Sequence, residues 1–215
     1  MPMCVIMTMV SFLSGSIMYS YIIPKLIRHV DIREVSGDEN PGSANAGAAV
    51  GQPIGAVCMF LDVWKAFAPV FVSVMFLGIS GYYLIPIIVA PVLGHAFSPF
   101  LWFKGGKAVS VSFGSLLGIV GISRALAILV IVMIVFNFII VIKPDSARVI
   151  LAFFLSGAAE LAIEPLLGIK IAVLVISLTV CYKHFMNPNK GSLSVNIGPF
   201  GICFDNRELK VGRRL

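Results

Sequence analysis

Charge is scarce in this 215-residue chain. Asp, Glu, Lys and Arg make up 12% of it, against 59% hydrophobic residues and a mean hydropathy of +1.00. Soluble domains carry roughly 25% charged residues, so that class is excluded, and a disordered polar chain with it. Acidic residues are scarcer than basic ones, 10 against 16, which leaves a formal charge of +6. Those basic residues are spread over several short loops and a tail, not along one soluble face, which excludes a nucleic-acid surface and favours anionic lipid and phosphate-bearing partners. Cysteine is sparse too: positions 4, 58, 181 and 203 are too widely spaced for a disulfide framework or a metal site, and read as buried thiols. The first apolar run lacks a basic leader and ends in Tyr19-Ser20-Tyr21 where a cleavable signal needs small residues, so it reads as a retained helix.

Long apolar runs are what the chain does have. A hydrocarbon core about 30 Å thick takes roughly 20 apolar residues per helix, fewer where polar groups face a cavity. Seven segments qualify, near 3–24, 54–78, 82–100, 108–122, 124–142, 148–165 and 168–183, with Pro86, Pro91 and Pro99 predicting irregular backbone in the third. The expected fold is an all-α integral membrane protein, a seven-transmembrane-helix bundle. With the N-terminus outside and the C-terminus cytoplasmic, thirteen basic residues between Lys25 and Arg214 fall inside, only Arg124 and Lys170 fall outside, and Lys65 lies within the second helix. Residues 1–187 read as one membrane domain without internal repeats and 188–215 as a polar cytoplasmic tail. In that tail Ser192–Ile197 alternates like a strand, with Ile202-Cys203-Phe204 as its hairpin partner; partial disorder is the alternative.

Polar interruptions mark where chemistry can sit. Residues 25–53 form the longest, and Ser36-Gly37-Asp38-Glu39-Asn40-Pro41-Gly42-Ser43-Ala44-Asn45 mixes small residues with amide and hydroxyl groups. Successive N–H groups in such a turn make an anion nest, to which Asn40, Ser43 and Asn45 add side-chain hydrogen bonds; a flexible turn-rich loop is the plainer reading. Lys104-Gly105-Gly106-Lys107 is not a nucleotide-binding P-loop, since the spacing is wrong and no strand precedes it. It still sets two ammonium groups beside a helix N-terminus, where an anion is favoured; lysines reaching lipid phosphates are the alternative. His184 and Asn187, three apart, share a helix face, and His184 there suits a general base or a phosphate donor. His95 reads as a hydrogen-bonded structural residue, Asp62 and Lys65 as an interior charge pair, and Glu160 with Glu164 as partners of Lys170, of water or of a proton relay.

Taken together these segments resemble the bacterial acyl-phosphate:glycerol-3-phosphate acyltransferase family, the PlsY family. The resemblance runs through Gly15-Ser16-Ile17 with Pro24-Lys25-Leu26, Asn40-Pro41-Gly42-Ser43-Ala44-Asn45, and Leu61-Asp62 with Lys65. It is densest at Leu93-Gly94-His95-Ala96-Phe97 through Phe103-Lys104-Gly105-Gly106-Lys107, and covers most of residues 12–187. Three departures stand out. The family's S-G-N is Ser36-Gly37-Asp38-Glu39-Asn40 here, the position of a commonly occurring arginine falls near Ala48, and the last motif survives only as His184 and Asn187.

The resemblance implies a divergent member that moves a fatty acyl group from acyl phosphate to the sn-1 hydroxyl of glycerol 3-phosphate, giving lysophosphatidic acid and phosphate. It implies a bacterial inner or plasma membrane enzyme whose site faces the cytoplasm, with membrane lipid around it and neither cofactor nor metal. On this reading Lys104, Lys107 and the N–H groups of Gly105 and Gly106 bind phosphate, with His95 beside them. Ser36, Asn40, Gly42, Ser43 and Asn45 position glycerol 3-phosphate, while Ser36, His184 and Asn187 act on the attacking hydroxyl. The departures keep a rival open, a transporter or non-catalytic scaffold on the same fold.

Overall fold

A computed structural model describes residues 1–189, 191, 193–197, 200–205 and 208–213, with side chains through 197. Lys190, Arg207 and Arg214, counted above among the inside charges, and Ser192, the first residue of the expected hairpin, lie outside the described residues. The chain is mostly helical: α1 (Pro2–Ser16), α2 (Tyr19–Arg28), α3 (Ile32–Val35), α4 (Ser43–Val50), α5 (Gln52–Met75), α6 (Leu84–Ala96), α7 (Val109–Leu117), α8 (Ala125–Ile134), α9 (Asp145–Ile163) and α10 (Leu167–Met186). Five stretches are long and apolar enough to cross a membrane: Pro2–Arg28, Gln52–Met75, Gly81–Leu101, Asp145–Ile163 and Leu167–Met186.

The expectation of an all-α fold is corrected by a four-stranded antiparallel sheet in the order β1-β2-β3-β4: β1 (Ile140–Lys143), β2 (Ser194–Ile197), β3 (Phe200–Asp205) and β4 (Glu208–Arg213). The hairpin expected in the tail is present as β2 and β3, with Val195 opposite Ile202. β1 was read as the end of the fifth membrane segment. Its alternating burial and its pairing with β2, Ile140 opposite Ile197, draw it out of the helix after a π turn at Val135–Ile139. The fourth segment is also shorter than expected, since α7 gives way to turns beyond Leu117.

α1 and α2 form one apolar run broken at Ile17-Met18, where Ile17 is extended with ψ 120°. A break inside a membrane segment leaves carbonyls that only protein can satisfy. Ser98 Oγ donates to the Ser16 carbonyl at 2.7 Å, and Lys65 Nζ donates to that of Ile17. α6 sits at the centre, with Ile87, Ile88 and Val92 fully enclosed, while large apolar side chains such as Met9, Phe60, Trp64, Ile131 and Leu178 face outward. Outward apolar side chains on this scale suit lipid as the surrounding solvent.

α1 lies against α6 at backbone contact. A Cβ placed on Gly94 would stand 2.3 Å from the Phe12 carbonyl oxygen, and one on Gly15 would stand 2.2 Å from that of Pro91. Close helix approach through small residues is a principal source of affinity between membrane helices, because lipid tails remove the hydrophobic drive. Gly94→Ala is expected to lower stability by about 1–3 kcal/mol through forced separation of the helices. Gly121→Ala, whose Cβ would meet open space, is expected to change it by less than about 0.5 kcal/mol. Thermal unfolding of the two variants in detergent checks the difference.

Candidate active site

The first polar loop is ordered from its start. Asp31 caps α3 by accepting from the Arg33 N–H at 3.1 Å, and Arg33 returns a fork to the same carboxylate, Nε to Oδ1 at 3.0 Å and a terminal nitrogen to Oδ2 at 2.8 Å. The hydrogen bond from Arg33 outweighs burial and holds the Asp31 carboxyl down at about 2. The guanidinium also lies 4.5 Å from the Tyr21 ring centroid, which joins the loop to α2. This fixes the chain before the Ser36–Asn45 turn, so the turn is held in place instead of hanging free.

Asp38 then reaches inward. Its Oδ2 pairs with Lys107 Nζ at 2.7 Å, both side chains only 8% exposed, and its Oδ1 accepts from Asn45 Nδ2 at 2.8 Å. Lys107 Nζ donates as well to Asn189 Oδ1 at 3.2 Å, and Ser146 Oγ donates to that same oxygen at 2.6 Å. One ion pair thus ties together the first loop, the loop after α6, the start of α9 and the chain after α10. Burial pushes the Asp38 carboxyl up, but the Lys107 hydrogen bond, the Asn45 amide and the Lys107 charge together hold it below its ordinary value.

Beside this pair lies a cavity of about 220 Å³. Its wall includes Gly42, Ser43, Ala44 and Asn45 from the start of α4, Ala108, Val109 and Ser110 from the start of α7, and Asp145, Arg148 and Val149 from the start of α9. Three helices therefore present N-termini to one space. The positive end of each macrodipole and the N–H groups of its first turn favour an anion there. His184 also lines the cavity and is buried. Its Nδ1 lies 3.0 Å from the Val180 carbonyl, an acceptor only, which assigns the proton to Nδ1 and leaves Nε2 as a proton acceptor.

Under the cavity sits a second buried pair, Asp62 with Lys65 at 2.7 Å, each 2% exposed, with Ser20 Oγ donating to Asp62 at 2.9 Å. Lys65 Nζ lies 3.1 Å from His95 Nδ1, so Nδ1 accepts and the ring proton is on Nε2. Above the ring runs the Gly105-Gly106 backbone. A Cβ on Gly106 would stand 2.3 Å from His95 Nε2, and one on Gly105 would stand 1.9 Å from the His95 carbonyl oxygen. The glycine pair is thus what lets the loop after α6 close over His95.

Several expected residues meet at the cavity: Asn40, Gly42, Ser43, Asn45, His95, Lys107 and His184 all line it. Others are placed differently. The Gly106 N–H donates to the His95 carbonyl at 3.1 Å, and the Gly105 carbonyl accepts from Lys183 Nζ at 3.0 Å. These glycines hold the fold together, and the Gly106 N–H is not free for phosphate. Lys104 does not line this cavity but a neighbouring cleft of about 670 Å³ lined also by Phe97, Phe103, Tyr182 and Asn187. Asn187 is the exposed C-cap of α10, so Asn189, two residues further on, enters the cavity in its place. Ser36 ends α3 with its hydroxyl enclosed and lines neither space, whereas Asp38, two residues on, lines both. Lys170 donates to the Leu161 carbonyl at 2.8 Å, not to Glu160 or Glu164. Glu164 accepts from Ser123 Oγ and from the Leu166 N–H, a capping arrangement between helices.

Sequence reasoning overlooked Ser110, Ser146, Arg148 and Asn189. Arg148 had a visible signal, a single guanidinium at the start of an apolar segment; Ser146 and Asn189 had none.

Residues 5–191 match the family model described as glycerol-3-phosphate acyltransferase. Glycerol-3-phosphate acyltransferase 2 of Thermotoga maritima is 44% identical over 100 residues, covering 46% of this chain and 50% of the relative. The chain thus spans about half the length of the Thermotoga relatives it matches. The glycerol-3-phosphate acyltransferase of Staphylococcus haemolyticus is 32% identical over 192 residues, 86% of this chain and 92% of the relative. Crystal structures of PlsY (YgiH), an integral membrane glycerol 3-phosphate acyltransferase, superpose with TM-scores of 0.75 for the glycerol 3-phosphate form and 0.72 for the lysophosphatidic acid form. At 27% identity the first covers 86% of this chain and 90% of PlsY. A mostly helical integral membrane protein whose polar cavity is built from the ordered set of matching segments, the chain belongs to the glycerol-3-phosphate acyltransferase family.

Proposed function

We propose that the protein transfers a fatty acyl group from acyl phosphate to the sn-1 hydroxyl of glycerol 3-phosphate. The observation that carries this reading is the convergence of three helix N-termini and Lys107 on a small polar cavity that also holds His184. The cavity takes glycerol 3-phosphate, its phosphate against the α4, α7 and α9 N-termini and its hydroxyls against Asn40, Ser43, Asn45 and Ser110. The neighbouring cleft suits the amphiphilic donor, since it combines Lys104 with Phe97, Phe103, Tyr182 and Met186. Asp38 and Gly37 line the cleft and Asp38 lines both spaces, so donor and acceptor meet at that residue.

The chemistry needs no enzyme-bound acyl group, because an acyl phosphate is already an activated anhydride. The sn-1 hydroxyl attacks the acyl carbon and passes its proton to His184 Nε2. The bond from the acyl carbon to the phosphate oxygen breaks, and phosphate leaves with the electron pair. Holding the two substrates together and neutralising the leaving phosphate supply the acceleration. In this reading α7 and α8 complete seven crossings, with the N-terminus outside and the cavity and the C-terminal residues 188–215 on the cytoplasmic face of a bacterial cell membrane. The inside excess of basic residues supports that orientation.

Purified protein is expected to release phosphate and lysophosphatidic acid from acyl phosphate only when glycerol 3-phosphate is present. Proton-coupled solute uptake by reconstituted vesicles without turnover would instead select the transporter reading. His184→Ala is expected to reduce kcat by about 10²–10⁴-fold through loss of the base. Lys107→Ala is expected to cost far more activity than Lys104→Ala, measured side by side in a phosphate-release assay.

The Asp38 carboxyl lies below its ordinary value of 3.8 when folded, so its stabilising contribution is complete above that value and is lost as pH falls through the lower folded one. The stability difference between the wild type and Asp38→Asn, followed by thermal unfolding, is expected to stay constant from neutral pH down toward 3.8 and to close only in stronger acid.

A further inference from the structure

Arg148 lies on the first turn of α9 and lines the cavity. Its Nε is enclosed and has no hydrogen-bond partner among the described residues, while a terminal nitrogen forms an ion pair with Asp145 Oδ1 at 3.0 Å. An enclosed guanidinium N–H without an acceptor is costly, and it marks a place where an acceptor from outside the chain restores the balance.

Charge pairing singles out the same residue. Lys107 is held by Asp38 and Lys65 by Asp62, both pairs enclosed, so withdrawing either lysine would strand a buried carboxylate. The partner of Arg148 is different: Asp145 is 62% exposed, and water can solvate it alone. Arg148 is therefore the cation lining this cavity that can turn toward a ligand at least cost. Its planar fork matches two phosphate oxygens, and the N-terminus of its own helix adds the positive end of a dipole in the same direction. Ala48, exposed on α4, contributes no charge.

We propose that Arg148 binds the phosphate of the acceptor in this cavity by exchanging its surface partner Asp145 for two phosphate oxygens. The proposal rests on the reading that the cavity takes glycerol 3-phosphate. A phosphate monoester is the shared chemistry; acceptor, donor and free phosphate are its sources, and the kinetics separate them.

The test varies glycerol 3-phosphate and acyl phosphate independently for wild type, Arg148→Ala and Arg148→Lys, each shown to be folded by gel filtration and thermal unfolding in detergent. Loss of a charge-assisted bidentate contact is expected to raise the KM for glycerol 3-phosphate about ten- to hundredfold in Arg148→Ala, with kcat and the KM for acyl phosphate changed by less than about twofold. Arg148→Lys, which keeps the charge but loses the fork, is expected to fall between, and it decides the matter if the alanine variant does not fold. An unchanged KM for glycerol 3-phosphate, or a rise confined to acyl phosphate, overturns the proposal while leaving the acyltransferase reading intact. If the wild type makes no lysophosphatidic acid, that reading fails first. Arg148 is then judged by thermal protection with inorganic phosphate, expected for the wild type and reduced in Arg148→Lys; equal protection of the two would sink it.

Discussion

The ion pair between Asp38 and Lys107 is the interaction on which the site depends. In a chain with few charges, a buried pair is costly to desolvate and strongly destabilising to break by halves, so it fixes geometry more than it adds stability. Here it joins segments 69 residues apart and, through Asn189 and Ser146, also the start of α9 and the chain after α10. A polar junction of matched donors and acceptors does what hydrophobic packing does elsewhere in the bundle.

Beneath it the Asp62–Lys65 pair plays a related part. Lys65 satisfies the carbonyl freed where the first membrane segment breaks at Ile17, and it also lies against His95. The break, the histidine and the glycine loop above it are thus coupled: the loop can close only because Gly105 and Gly106 lack side chains, and what it closes on is a ring held by Lys65. The dense family resemblance of the Leu93–Lys107 segment reads, on this geometry, as a demand of packing as much as of ligand binding. The close approach of backbone to side chain is a demand on both glycines separate from the N–H groups expected to meet phosphate, of which that of Gly106 is engaged by the His95 carbonyl.

The helices were legible because apolar length is a one-dimensional signal, and α5, α6, α9 and α10 fall close to the segments read from composition. β1 was not, since Ile140–Lys143 is apolar enough to pass for a helix end and becomes a strand only by pairing with residues more than fifty positions later. At the site, His184 and Lys107 could be found because lone charged or titratable groups at the ends of apolar runs are conspicuous. Asn189 and Ser146 could not, because an ordinary amide and hydroxyl gain meaning only when folding sets them 2.6 Å apart. Ser36 and Asn187 lie off the cavity for a simpler reason: α3 and α10 end just before them, and in each case the residue two positions on, Asp38 or Asn189, reaches inward.

The extra carboxylates of the first loop and the guanidinium on α9 are best understood together. Asp38 neutralises Lys107, and that leaves both cations that line the cavity, Lys107 and Arg148, with a carboxylate partner. An anionic substrate can enter such a space only where an existing pair opens cheaply, and the cost is set by how well the abandoned carboxylate is solvated. Asp38 and Asp62 are enclosed; Asp145 is at the surface. The pair that opens at least cost is therefore the one on α9, where a helix N-terminus and an arginine with an unmatched N–H stand at the same wall.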